Sequence, residues 1–179
     1  GTIEFDGEIV HWSSPATAKA AGIHVIYQEF VLFPNLTVAE NIFLGRNPVT
    51  RFGFTNRRAM MDEAARLIAA HNFPLHASAR VETLSPAGKQ LVEICRAIQR
   101  GSSLLIFDEP TSSLSETETK EVFKIVRKLT EQGTGVIYIT HRLEELRAVG
   151  DRVTVLRDGA TVHSCPLAEL PRDKMVKYM

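Results

Sequence analysis

The chain has 179 residues, 21 basic and 21 acidic side chains for a formal net charge of zero, and 44% hydrophobic against 23% charged residues. This composition excludes a chain too polar to collapse and sets one folded domain as the expectation; its zero net charge gives no general attraction to a nucleic-acid backbone. Two cysteines, Cys95 and Cys165, with no CxxC pair and no Cys/His cluster, argue against a disulfide scaffold or a structural zinc site and fit a reducing compartment.

Thr2 to Val10 alternates apolar Ile3, Phe5 and Ile9 with acidic residues around Asp6-Gly7 and predicts a short hairpin. Glu4, Asp6 and Glu8 precede the first basic residue, Lys19, the reverse of a secretory signal, and the chain begins at Gly1 instead of Met, as a fragment does. Ser14-Pro15 opens a short helix over Ala16 to Ala21 that Gly22 stops. Ile23 to Tyr27 follows as a buried strand ending at Gln28. Thr37 and Glu40 form a capping box for a helix that fades near Gly45, and Arg46 to Thr55 is the main loop. Asn56 caps the next helix, whose apolar positions Met60, Ala64, Leu67 and Ile68 share one face. Ser85-Pro86 opens another, with Leu91, Ile94, Cys95 and Ile98 inward.

The strand Leu104 to Phe107, the helix Glu116 to Gln132 and the strand Gly135 to Ile139 make a strand-helix-strand unit, hence a parallel sheet. Arg152 to Val162, turning at Asp158-Gly159, is a second hairpin, followed by a short helix near Leu167 to Met179. The longest uninterrupted apolar runs, such as Leu104 to Phe107, are about four residues, where a bilayer-spanning helix needs roughly 20.

Asp108-Glu109 ends an all-apolar strand, and ligands of open parallel sheets collect beyond the strand carboxyl ends. Asp108 can hold Mg²⁺ and Glu109 can take a proton from an attacking water; the plainer reading is an acidic helix cap. His141 leaves the next strand at the same edge, as a phosphate contact or simply as a surface histidine. The Gln28 amide can meet a metal ion or its water. Ser85 heads a helix whose free N–H groups suit a phosphate, and is equally an N-cap serine. Their order along one chain points to phosphate chemistry.

With that order, the sequence resembles the ATP-binding cassette (ABC) family of transport ATPases over nearly its whole length. Tyr27-Gln28-Glu29 is similar to the Q-loop, Leu84 to Gln90 to the signature, Leu105 to Glu109 to Walker B, Ser112 to Ser115 to the D-loop, and Thr140-His141-Arg142 to the switch histidine. Pro34 to Arg46, Val92-Glu93-Ile94 and Arg142 to Leu146 resemble the first cassette of bacterial ribose, xylose or galactose importers. The resemblance implies an α/β, P-loop NTPase-like fold: a parallel sheet with an N-terminal antiparallel hairpin in a core of residues 1–33 and 101–179, and an inserted helical lobe over 34–100.

It further implies ATP and Mg²⁺ as ligands, with catalytic Glu109 and His141, Asp108 and Gln28 at the metal, and Gln28, Ser85, Ala87, Gly88 and Ser113 at nucleotide. The implied partners are a second cassette, the transmembrane permease and, indirectly, a periplasmic sugar-binding protein, with no nucleic acid; the implied place is the cytoplasmic face of the inner membrane, peripherally bound.

Three departures stand out. No Gly-x-x-x-x-Gly-Lys-[Ser/Thr] occurs; the resemblance implies a Walker A loop shortly before the position of Gly1. Pro86 and Ala87 replace two signature glycines, removing one N–H donor and adding a methyl group, which predicts that the ATP site built on Ser85 is the weaker of two. Ser115 stands where many cassettes have Asp. Two other classes remain: a non-hydrolysing regulatory or interaction cassette, favoured by the absent loop and opposed by Asp108, Glu109 and His141; and a chromosome or repair ATPase, for which the basic face and long heptads are lacking.

Overall fold

A computed structural model describes residues 1–178. Strands β1 (Ile3–Phe5) and β2 (Glu8–Val10) pair antiparallel through a two-residue turn. Both turn residues, Asp6 and Gly7, have positive φ, the geometry that lets a tight turn follow the strand twist. Helix α1 (Pro15–Ala20) starts on a reciprocal Ser14–Thr17 cap. Gly22 follows at φ +93°, where a Cβ would lie 2.8 Å from Ser103 Oγ, so the entry to β3 (Ile23–Ile26) requires glycine on two counts. This strand ends one residue before the predicted Tyr27.

Residues 34–100 contain α2 (Val38–Ile42), α3 (Arg57–His71) and α4 (Pro86–Gln99). Thr37 with Glu40, Asn56 and Ser85 cap them at the predicted positions. The remaining elements are β4 (Leu104–Asp108), α5 (Glu116–Glu131), β5 (Gly135–Ile139), α6 (Leu143–Val149), the hairpin β6 (Arg152–Arg157) and β7 (Ala160–Pro166), and α7 (Arg172–Tyr178). The predicted tail helix thus divides into a 3-10 turn at Leu167–Glu169 and α7, and Met179 lies outside the described residues.

β3, β4 and β5 form a parallel sheet in that order, with Ile26 opposite Phe107 and Phe107 opposite Tyr138. The main apolar core joins one face of this sheet to α2, α3, α4 and α5 through Ile26, Leu105, Phe107, Ile42, Ile94 and Val126. Tyr138 stacks on Phe107 and meets Phe123 of α5 edge-on. A second cluster, Val153, Val155, Leu167, Leu170 and Met175, closes the C-terminal hairpin over α7.

The sequence predicts a buried strand at Ile23 to Tyr27 and all-apolar strands beside it; the described residues cover one face of the sheet. Leu105 and Phe107 are fully buried, whereas Ile137 and Ile139, on the other side of the pleat, are 48% and 47% exposed. Asp108 lies on that open side, in register with Ile139. Among the described residues α5 supplies apolar side chains to one side, and no helix supplies them to the other.

Buried His24 of β3 sits 2.8 Å from Ser102 Oγ, which gives its own proton to the Ala97 carbonyl. The ring nitrogen Nδ1 is therefore the donor to Ser102. Burial, and then the charge of Arg100, hold this imidazole below its ordinary pKa.

Two outcomes follow for urea unfolding. Phe107→Ala costs about 3–5 kcal/mol and Ile139→Ala less than about 1 kcal/mol, reporting the one-sided core. The unfolded chain takes up the His24 proton first, so this side chain's contribution to stability is whole above about pH 6.5 and is lost as pH falls through the lower folded value. Stability between about pH 7 and pH 5 should fall more steeply in the wild type than in His24→Gln.

Candidate active site

The parallel register gathers the chain at one edge. Beyond β3 comes Gln28, at the end of β4 come Asp108 and Glu109, and two residues past β5 comes His141. The ladder continues one step beyond β4, where the Glu109 N–H donates to the Ile139 carbonyl at 3.0 Å. Glu109 takes φ +47°, a left-handed backbone that costs a non-glycine residue about 1–3 kcal/mol. From this turn its Oε1 lies 2.9 Å from His141 Nδ1. The side chains are 31% and 66% exposed, so the pair adds little stability; its consequence is placement of a carboxylate and an imidazole on one open rim beside Asp108.

Behind the rim lies a buried carboxylate that the sequence did not single out. Glu145, in the first turn of α6, is 4% exposed. Its Oε1 accepts from Thr111 Oγ1 at 2.6 Å and from Arg142 Nη1 at 3.4 Å. Its Oε2 accepts from the Tyr138 hydroxyl and from Thr140 Oγ1, each at 3.0 Å. Burial first, and then the Glu145 charge, push the Tyr138 hydroxyl well above its ordinary pKa, keeping it a donor. An acidic residue opening a helix reads in sequence as a partner for the helix dipole, which concealed this burial.

The segment after Gln28 is clamped to the helices. Val31 N–H donates to Glu93 Oε1 at 2.8 Å, Arg96 Nη1 donates to the Val31 carbonyl at 2.9 Å, and Phe33 N–H donates to Asn41 Oδ1 at 2.8 Å. Asn41 is fully buried and returns a bond to the Phe33 carbonyl. Burial raises the Glu93 carboxyl above the usual range, opposed by the Val31 N–H and the Arg96 charge. Over this clamp Tyr27, Val31 and Phe33 remain exposed.

Ser85, Ala87 and Gly88 are not brought to the rim of Glu109 and His141. They head α4 and line a cleft of about 550 Å³ with Phe73, Thr117 and Glu118. Ser85 Oγ accepts from Gly88 N–H at 3.2 Å, so its cap role is present. The Glu118 carboxyl is held below the usual range by the Ser115 N–H and hydroxyl first and, more weakly, by the Ser85 hydroxyl and Ala87 N–H. Ser113 is exposed on the loop between β4 and α5.

Asp108 and Gln28 each carry a side-chain oxygen, the donor type that Mg²⁺ takes. Among the described residues no three acidic, histidine or cysteine side chains form a metal cage. Mg²⁺ commonly takes one or two protein oxygens and completes its shell with phosphate and water, and Asp108 with Gln28 offers that number.

The profile of the ABC transporter family matches residues 1–112. The chain belongs to the ABC transporter family. It is 48% identical over 179 residues to ribose import ATP-binding protein RbsA 1 of Rubrobacter xylanophilus, with all of this chain and 36% of that protein covered. It is 43% identical over 179 residues to ribose import ATP-binding protein RbsA of Rhodococcus jostii, with the same coverage. The chain thus spans about a third of the length of the curated relatives it matches. The ADP conformation of MJ1267, an ATP-binding cassette of an ABC transporter, superposes with a TM-score of 0.77 at 20% identity, covering 91% of this chain and 68% of that one. A dimeric post-hydrolysis cassette, MJ0796 bound to ADP and Pi, gives 0.72 at 22%, covering 93% and 73%. These structures establish the fold as that of an ABC cassette.

Because Glu109 holds a left-handed backbone, Glu109→Gly should raise unfolding stability by about 1 kcal/mol while removing the carboxylate. Equal or lower stability in urea denaturation would show that the turn is unstrained.

Proposed function

We propose that this chain works as part of the ATP-hydrolysing cassette of an importer for ribose or a related sugar. The observation that carries the reading is the Glu109–His141 contact at the sheet edge beside Asp108. The names of the ribose-import relatives supply the transport class.

In this reading Glu109 polarises the attacking water and accepts its proton. His141, oriented through Nδ1 by Glu109, turns its other ring nitrogen toward the terminal phosphate. Asp108, with Gln28, positions Mg²⁺, whose chemistry is to neutralise charge building on the phosphates. A phosphate-binding loop is supplied from outside these 179 residues, and its segment covers the open face that carries Asp108, Ile137 and Ile139.

Ser85, Ala87, Gly88 and Ser113 meet a nucleotide shared with a second cassette. Pro86 and Ala87 make that second site the slower one, since one N–H is lost and a methyl group intrudes. Residues 34–100 act as a lobe moving about Gln28. A permease segment docks on the exposed Tyr27, Val31 and Phe33, so that the clamp of Glu93, Arg96 and Asn41 passes the motion on. The periplasmic sugar-binding protein acts through that permease, and the cassette is held peripherally at the cytoplasmic face of the membrane.

In the full-length polypeptide carrying this chain, Glu109→Gln should lower ATP turnover by about 10² or more while ATP binding persists. Turnover near the wild-type rate would remove the base assignment and favour the non-hydrolysing module.

A further inference from the structure

We propose that Glu145 is a positioning residue for hydrolysis: its buried carboxylate locks the turn that carries Glu109 to the segment that carries His141. The inference rests on the ATPase reading above and adds to it a residue that touches neither water nor phosphate.

Its four donors come from both sides of the rim. Thr111 lies two residues after Glu109, and Thr140 and Arg142 flank His141. Tyr138, on β5, anchors the same carboxylate to the core through its stacking on Phe107. Arg142 closes the ring: its backbone N–H donates to Thr140 Oγ1 at 3.0 Å, and its Nη1 reaches the Thr111 carbonyl at 3.4 Å. None of the bonds to the carboxylate comes from a backbone N–H of α6, so Glu145 is not serving as that helix's cap.

Such an anchor answers a specific need. Glu109 sits in a left-handed conformation that its own sequence does not favour, and it persists only where the surroundings over-determine it. The Glu109–Ile139 bond fixes one side of the turn, and the Thr111–Glu145 bond fixes the other. A buried carboxyl is a weak source of stability compared with apolar packing, and its part here is geometric, with both oxygens held by directed donors from two segments. The arrangement it fixes is the separation of Glu109 from His141, where an error of about 1 Å costs on the order of 10² in rate.

The test uses Glu145→Ala, Glu145→Gln and Thr111→Val in the full-length polypeptide, with kcat, KM for ATP, thermal midpoint and amide exchange measured for each. Glu145→Ala is expected to lower kcat about tenfold or more with KM within about threefold, a split that loss of folded protein alone does not produce. Glu145→Gln should recover most of that loss, because its amide accepts from Thr111 and donates to Tyr138. Thr111→Val should match Glu145→Ala, and the double variant should lose no more than either single one, as expected for one shared device. Exchange should quicken at Glu109, Ser112 and Arg142 and stay unchanged in α3 and α4. Should Glu145→Ala not fold, Thr111→Val carries the test, since it leaves the carboxylate bonded to Tyr138 and Thr140.

A kcat within about twofold of wild type in Glu145→Ala or in Thr111→Val, additive losses, or unaltered exchange at those three amides would overturn the proposal. A wild type that turns over no ATP sinks the ATPase reading instead, and the exchange pattern then decides whether Glu145 holds the two segments together.

Discussion

Everything at the rim depends on the parallel pairing of β4 with β5 and on the bond that extends it, from the Glu109 N–H to the Ile139 carbonyl. Parallel strands in register deliver their carboxyl ends to one line, so residues 32 positions apart in sequence are brought to one edge. A one-residue slip of β5 would move Tyr138 off Phe107 and onto the open face, and the fully buried Phe107 opposes this. Core packing thus protects the register, and the register places the polar groups.

The hydrogen bonds also divide the labour between two buried acids. Glu145 is surrounded by side-chain donors and ties two segments beside the sheet edge. Glu93, with Arg96 and Asn41, instead holds the backbone of the segment after Gln28 to the helices. Gln28 stands between these two sets of bonds and belongs to neither. Both arrangements hold loop backbone by side chains from helices, which is how a connection can be exposed and still well defined.

Helix starts were legible because their chemistry is local. Ser14, Thr37, Asn56, Ser85 and Ser115 each show an acceptor side chain three residues before the N–H it serves. The parallel pairing of β4 with β5, and with it the common edge of Asp108 and His141, followed from apolar runs separated by a helix, whereas the place of β3 beside β4 came only with the structure. Three further things were not legible. An apolar strand does not say whether a helix covers one side or both, so the exposure of Ile137 and Ile139 became visible only with the packing. The burial of Glu145 depends on Thr111, 34 residues away, and no periodicity encodes such a partner. The left-handed turn at Glu109 was hidden as well, because glycine, its usual sequence marker, is absent there.

The half-covered sheet has a cost measured in solubility. Ile137 and Ile139 lie along the free side of β5, where unused backbone groups run beside exposed aliphatic carbon. Left bare, such a border invites strand addition from another copy, and the rate of that encounter rises with concentration. The same feature that leaves room beside Asp108 therefore makes these 179 residues, taken by themselves, prone to pair with copies of themselves through one border.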